Sequence, residues 1–181
     1  MTGALPLAIE LANTTYAVRG VVQDGLRTRE DLTAWLARLS PRLPGGHSDV
    51  GDGDLTAARA LRDAIRGLAR SLEDGAAPDS AEIATVNRAA RAAPHWTELR
   101  PTGPPRAERH RETAGVTAAL AEVAENAVSL FAGEEGGRVR LCGRPGCVLL
   151  FVKDHPRREW CSNKCGNKVR AARHYQRTKE G

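Results

Sequence analysis

Apolar residues return every three or four positions along several stretches of the chain, and each such stretch predicts a helix. The clearest runs through Leu55, Ala58, Leu61, Ile65, Leu68 and Leu72, with Arg59, Arg62, Arg66 and Arg70 among or opposite them, until Asp74-Gly75 ends it. A second predicted helix spans Thr113 to Phe131 and presents Val116, Leu120, Val123, Ala127 and Phe131. A third starts at Thr28, a capping residue with Asp31 at the third helical position. It carries Leu32, Trp35, Leu36 and Leu39 on one face. Asp79 with Glu82 forms the same kind of capping box before a helix through Ala92 that shows Ile83, Val86 and Ala90.

Between these stretches the pattern is weaker. Residues 5–18 open with an apolar run that fits a helix or a buried strand equally well, and Asn13-Thr14 sits among apolar neighbours. Gly20 and Asp24-Gly25 mark a turn. Ser40 to Asp54 is rich in Pro, Gly, Ser and Asp and reads as a mobile loop. His95 to Arg111 holds three prolines and mixed charge, a connector with room for one short strand at Trp96–Leu99. Gly133 to Gly137 reads as a hinge. With only seven aromatic residues, the core must rest on Leu, Val, Ile and Ala, a composition that leans toward helix packing. The expected organisation is a helical body over 1–133 followed by a small module over 138–181.

Charge divides at the same place. Residues 138–181 carry 12 Lys/Arg against 3 Asp/Glu, a formal +9, whereas residues 1–137 carry 15 against 19, a formal −4. A basic module on an acidic body points to a polyanion partner, nucleic acid first. A membrane surface is the rival, but Val169, Ala171, Ala172 and Tyr175 make a thin apolar stripe, and no run approaches the length of a membrane span. Met1 to Leu5 lacks the basic and apolar regions of a secretory signal, so a reducing cytoplasmic setting is expected.

All four cysteines lie in the basic module. Cys142, Cys147, Cys161 and Cys165 are spaced C-x4-C-x13-C-x3-C. Each close pair can supply two thiolates from one tight turn, and the spacer brings the second pair round to close a tetrahedral shell. Four sulfurs favour one structural zinc ion, with an iron–sulfur cluster or two disulfides as the alternatives. Gly143, Pro145 and Gly146 are turn formers inside the first pair. Val148 to Val152 reads as a strand, Asp154-His155-Pro156 as a turn, and Arg158-Glu159-Trp160 as the returning strand. Ser162 can cap a helix running from Lys164 to Lys179, which places Cys161 and Cys165 one turn apart at its start. The predicted fold class is therefore mainly α: a helical N-terminal domain followed by a small treble-clef-like zinc finger, β-hairpin plus helix.

Cys165-Gly166-Asn167-Lys168, preceded by Arg158-Glu159-Trp160-Cys161-Ser162, resembles the signature of the CGNR zinc-finger family, with Lys168 where the family has Arg. The four cysteines, Phe151, Asp154, Trp160 and Asn167 fall where that pattern expects them. Upstream, Asn13-Thr14, Asp24, Trp35-Leu36 and Leu61-Arg62 look like the ABATE-type domain that precedes such fingers. The resemblance implies a bacterial transcription regulator whose N-terminal domain senses or binds a ligand.

Arg170, Arg173, His174 and Arg177 share one face of the final helix, with Lys164, Asn167 and Lys168 near its start and Arg157 and Arg158 at the hairpin tip. Arg and Asn pair bidentately with base edges and Lys serves phosphate, so these residues are the candidate DNA contacts. Asn167 could equally brace the zinc knuckle, and Trp160 reads as finger core. In the body, Asn13, Thr14, Asp24 and Arg62 are candidates for a small-molecule effector pocket. They could equally satisfy local backbone groups and form a plain ion pair. His47, His95 and His110 read as isolated loop residues. No nucleophile–base spacing, phosphate-binding glycine loop or His/carboxylate metal pattern appears, so an enzyme is not expected. Two readings stand: a DNA-binding regulator, as monomer or homodimer, and an interaction module whose basic finger docks an acidic protein.

Overall fold

The computed structural model describes residues 4–45, 49–100 and 102–180; His47 lies outside them. The chain begins with α1 (Leu7–Ala12), whose Leu7, Ala8, Ile9, Leu11 and Ala12 are all buried. A segment apolar at every position but one has to sit inside, and this one does, with Glu10 at the edge pairing with Arg38 and Arg42. The run read as helix or strand proves to be both. After Asn13 the chain forms β1 (Thr15–Val18), which pairs antiparallel with β2 (Val21–Asp24). Arg19 and Gly20 both take positive φ, 52° and 86°, the geometry of a two-residue hairpin turn.

The capping box at Thr28 forms as expected: Asp31 N–H donates to Thr28 Oγ1 at 3.3 Å and Thr28 N–H to Asp31 Oδ2 at 3.0 Å. It opens α2 (Arg29–Leu39), which buries Leu32, Trp35, Leu36 and Leu39. The stretch read as a mobile loop is more ordered than its composition suggests. Ser40–Arg42 makes a 3-10 turn, Leu43 is buried, and Gly51 N–H bonded to Asp54 Oδ2 at 2.9 Å starts α3 (Asp52–Glu73) early. The inward stripe of α3 holds Leu55, Ala58, Leu61, Ile65 and Leu68, while Leu72 is at the rim. The helix ends in a Schellman motif: Ala76 N–H reaches Ser71 O and Gly75 N–H reaches Leu72 O, with Gly75 at φ 67°.

In α4 (Ser80–Arg91) the expected capping box is half made. Asp79 accepts from Ala81 N–H at 2.8 Å, but Glu82 turns away to lie against Gly67 of α3, because the absent side chain there leaves a slot. The proline-bearing connector is not a loop with one lone strand. It is a hairpin of β3 (His95–Leu99) and β4 (Ala107–Arg111), in register from His95↔Arg111 to Leu99↔Ala107. His95 and His110 therefore lie on strands, and His110 stacks on Trp96 with ring centroids 5.9 Å apart. Arg109 and Arg111 hold this hairpin to Glu122 and Glu125 of α5 (Gly115–Ala132).

One contiguous core joins the helices α1 to α5 with two short strands from the C-terminal module, β5 (Val139–Leu141) and β6 (Leu150–Val152). Val139 and Leu150 are as buried as any residue in the helices. Among the described residues no helix is long and apolar enough to cross a membrane.

Candidate metal centre and basic helix

The Gly133–Gly137 run, read as a hinge, is a packed 3-10 turn (Gly136–Arg138) against the end of α5. A Cβ on Gly136 would lie 2.5 Å from Phe131 O, so glycine is required by contact there. The turn delivers β5 directly into the core. β5 pairs antiparallel with β6, and Cys142 N–H to Leu149 O (2.9 Å) and Lys153 N–H to Arg138 O (2.8 Å) extend the ladder at each end. Cys142 and Cys147 sit in the loop of this hairpin, which closes through Cys147 N–H to Arg144 O at 3.0 Å and Gly146 at φ 72°.

After β6 the expected returning strand through Arg158-Glu159-Trp160 is absent. The Arg158 side chain takes the carbonyls a ladder would use, donating to Trp160 O (3.2 Å) and Cys161 O (3.0 Å). It also pairs with Asp154 at 2.8 Å and lies 5.0 Å above the buried Phe151 ring. The two strands of the module are thus 139–141 and 150–152, flanking the first cysteine pair. Ser162 then caps α6 (Asn163–Glu180): its Oγ accepts from Cys165 N–H at 3.3 Å and its carbonyl from Gly166 N–H at 3.1 Å.

These turns bring all four Sγ atoms within 4.8 Å of one another. Cys161–Cys165 is 3.6 Å, and Cys147–Cys161 and Cys147–Cys165 are each 4.0 Å. A tetrahedron of Zn–S bonds of ~2.3 Å has edges of about 3.8 Å, so the sulfurs lie at zinc spacing. They are too far apart for S–S bonds of ~2.05 Å, which removes the disulfide reading. They also leave no room for a polynuclear cluster between them. Cys142, Cys147, Cys161 and Cys165 are the ligand set for one zinc ion, and four protein thiolates leave no open coordination position.

The surroundings prepare for thiolate charge. Arg144 Nε donates to Cys165 Sγ at 3.2 Å and Cys161 N–H to Cys142 Sγ at 3.4 Å. Burial pushes the metal-free Cys142 and Cys161 thiols up. Burial also acts to raise Cys165, but hydrogen bonds from Ser162 and Arg144 outweigh it and bring that thiol down to about 7.

The candidate DNA contacts separate into two groups. Asn167 and Arg170 are exposed but bonded within the finger: Arg170 Nη2 donates to Asn167 Oδ1 at 2.5 Å, and its guanidinium lies 5.6 Å from the Trp160 ring. Arg158 is occupied as described. By contrast Lys164, Lys168, Arg173, His174 and Arg177 on α6, and Arg157 on the preceding turn, are exposed. The ion pairs of the C-terminal module are Arg138–Glu135 and Arg158–Asp154, so among the described residues none involves α6. Arg157, Arg170 and Trp160 line an open groove of about 590 Å³ at the start of that helix.

Of the candidate effector residues, Asn13, Thr14 and Asp24 line an open cleft of about 700 Å³ together with Tyr16, Trp35 and Leu149. Arg62 does not line it. It is buried behind the cleft, forked onto Asp24 at 2.5 and 3.3 Å and bonded to Asp63 at 2.9 Å. Thr14 Oγ1 donates to Leu11 O at 2.7 Å. Asn13 reaches the C-terminal module: its Nδ2 donates to Leu150 O at 3.0 Å and its Oδ1 accepts from Leu150 N–H at 2.8 Å. Sequence reasoning missed two further residues. Arg66 bridges Ala12 O and Val148 O at 3.0 Å each, and Glu73 Oε2 accepts from Leu141 N–H at 3.1 Å. The only signal was for Arg66, an Arg among the apolar positions of α3; nothing in the sequence marked Glu73.

Residues 5–134 match the model of the ABATE family, described as "Putative stress-induced transcription regulator", and residues 138–178 match that of the CGNR zinc finger. No curated protein sequence matches the chain.

Proposed function

Because the chain belongs to the ABATE family and ends in a CGNR zinc finger, we propose that it is a DNA-binding transcription regulator. The observation that carries this reading is α6. Cys165 in its first turn and Cys161 just before its cap hold it at the metal centre, and along it Lys164, Lys168, Arg173, His174 and Arg177 stand exposed with no carboxylate partner among the described residues. A basic helix fixed at one end can enter a DNA groove, with Lys on phosphates and Arg on phosphates or guanine edges. Arg157, beside the groove at the helix start, extends the basic surface toward the backbone. The zinc is structural: it supplies the link that orders the finger, which we read as a treble-clef variant, and no catalysis is assigned to it.

The body is the sensing part in this reading. Its cleft, walled by Asn13, Thr14, Asp24, Tyr16 and Trp35, also includes Leu149 of the finger, so an effector bound there would touch both parts. Arg62 serves the cleft by holding Asp24.

The test is selection of fragmented genomic DNA by the zinc-loaded protein at two salt concentrations, followed by sequencing. A recurring site enriched at the higher salt is the expected outcome, and its symmetry reports monomer or homodimer. Recovery of random DNA that vanishes with salt would overturn sequence-specific regulation and favour an acidic protein partner.

A further inference from the structure

The four zinc ligands are attached to the rest of the protein in two different ways. Cys142 and Cys147 sit in a hairpin that the body grips. Val139 and Leu150 are in the body's core, Asn13 exchanges two hydrogen bonds with Leu150, Arg66 ties Val148 to the end of α1, and Glu73 takes Leu141 N–H. The knuckle also abuts the β1–β2 turn, where a Cβ on Gly146 would come 3.2 Å from Gly20 Cα. Cys161 and Cys165 belong to residues 154–180, which make no hydrogen bond to residues 4–137 among the described residues. Among the described residues of that segment only Cys165 and Gly166 are buried. Its ties to the hairpin are Gly143 N–H to Glu159 O at 3.0 Å, Arg158 over Phe151, and two bonds that end on ligand sulfurs.

We infer that the body builds one half of the zinc site in advance and that the other half, with the basic helix, is hung from it through the metal. Asn13 and Arg66 are positioning residues for this site: neither touches the metal, yet each fixes the backbone beside a ligand pair. A preformed pair of thiolates lowers the ordering cost of binding, so zinc affinity draws on the body. Conversely, losing the metal releases residues 154–180 while 139–152 stays folded on the body. The DNA-facing helix would then be presented only when the site is filled.

Amide hydrogen exchange on the full chain, zinc-loaded and then stripped with a chelator in reducing buffer, decides this. Protection should fall in peptides from 154–180 and persist in 139–152. Loss across both segments, or retention in both, overturns the inference. Asn13→Ala and Arg66→Met should each weaken zinc binding about tenfold in competition with a chromophoric chelator, the size seen for residues that orient metal ligands. Asn13→Asp keeps the acceptor for Leu150 N–H and should lie between. Thr28→Ala, which loosens the body at a cap far from the hairpin contacts, should leave zinc affinity unchanged. Equal weakening by Thr28→Ala, or none by Asn13→Ala and Arg66→Met, would show that the body does not position the site. Neither readout involves DNA, so failure here is separate from failure of the regulatory reading.

Discussion

Arg62 and Asp24 form a forked pair in which the cation is buried and the carboxylate lies at the edge of the cleft. Asp24 also accepts Leu26 N–H at 2.8 Å, so a single carboxylate pins α3 to the chain just after β2. Burial acts to raise the Asp24 pKa, but the bonds from Arg62 and Leu26 and the charges of Arg62 and Arg59 outweigh it, leaving it below its ordinary value. A carboxyl depressed in the folded state contributes stability above its unfolded pKa, near 4, and that contribution fades as pH falls through the lower folded value. Urea unfolding should therefore show wild type losing its advantage over Asp24→Asn below about pH 4. At pH 7 Asp24→Asn should cost about 1–3 kcal/mol, less than a fully buried pair because solvent reaches Asp24 and Asp63 still holds Arg62. A constant difference across that pH range would remove the carboxylate charge from the account.

Cys161→Ser removes a ligand from the half of the site that the body does not hold. Zinc content should fall well below one per chain, and far-ultraviolet circular dichroism should lose the α6 contribution while the main melting transition, set by the helical core, remains. Beyond Gly166 the described residues of the helix are exposed except for half-buried Val169, so little except its anchored first turn favours it over coil. An unchanged spectrum and melt with zinc absent would mean that α6 is stable on its own.

Arg173 and Arg158 are both basic and both near the proposed DNA surface, but their surroundings assign them different work. Arg173 is exposed, and Arg173→Ala should weaken DNA binding and flatten the salt slope by about one unit, with zinc content unchanged. Arg158 holds Trp160 O, Cys161 O, Asp154 and the face of Phe151. Arg158→Ala should lower the thermal stability of the zinc-loaded finger, with any loss of DNA binding secondary to that. Fluorescence anisotropy against salt, beside melting curves, separates the two. An unaltered slope for Arg173→Ala would strike it from the contact surface.

What could be read from sequence was what depends on near neighbours. The Thr28–Asp31 box, the three- and four-residue steps of the α3 stripe and the two close cysteine pairs each join residues within one or two turns of one another, and local geometry honoured them. Neither body hairpin was read whole. The short strand expected at Trp96–Leu99 is β3, but its partner β4 is exposed at three of five positions and no alternation marks it, and the β1–β2 turn uses Arg19-Gly20 in place of the usual Asn-Gly. The expected strand at 158–160 failed because one long side chain competed for its carbonyls. The hinge failed because glycines chosen for close packing look the same in sequence as glycines chosen for freedom. Asn13 was singled out, but its partner is 137 positions away, and nothing local could name Leu150.

Gly67 offers a test of how α3 and α4 meet. A Cβ built there would lie 1.6 Å from Glu82 Oε1, which looks prohibitive. The obstructing atoms are the far end of a flexible side chain, and Glu82 Oε2 is buried without a hydrogen-bond partner. Turning Glu82 outward returns an unsatisfied carboxylate oxygen to water, and alanine in a helix interior is favoured over glycine by about 1 kcal/mol. Gly67→Ala should therefore be neutral or stabilising by up to about 1 kcal/mol, against the destabilisation that the clash alone would suggest. Glu82→Ala with Gly67→Ala should add little more, since the same clash is relieved once. Urea midpoints of the two single variants and the double would check this. A loss above about 2 kcal/mol for Gly67→Ala, restored by Glu82→Ala, would show that Glu82 cannot leave its slot and that its carboxylate is part of the α3–α4 contact.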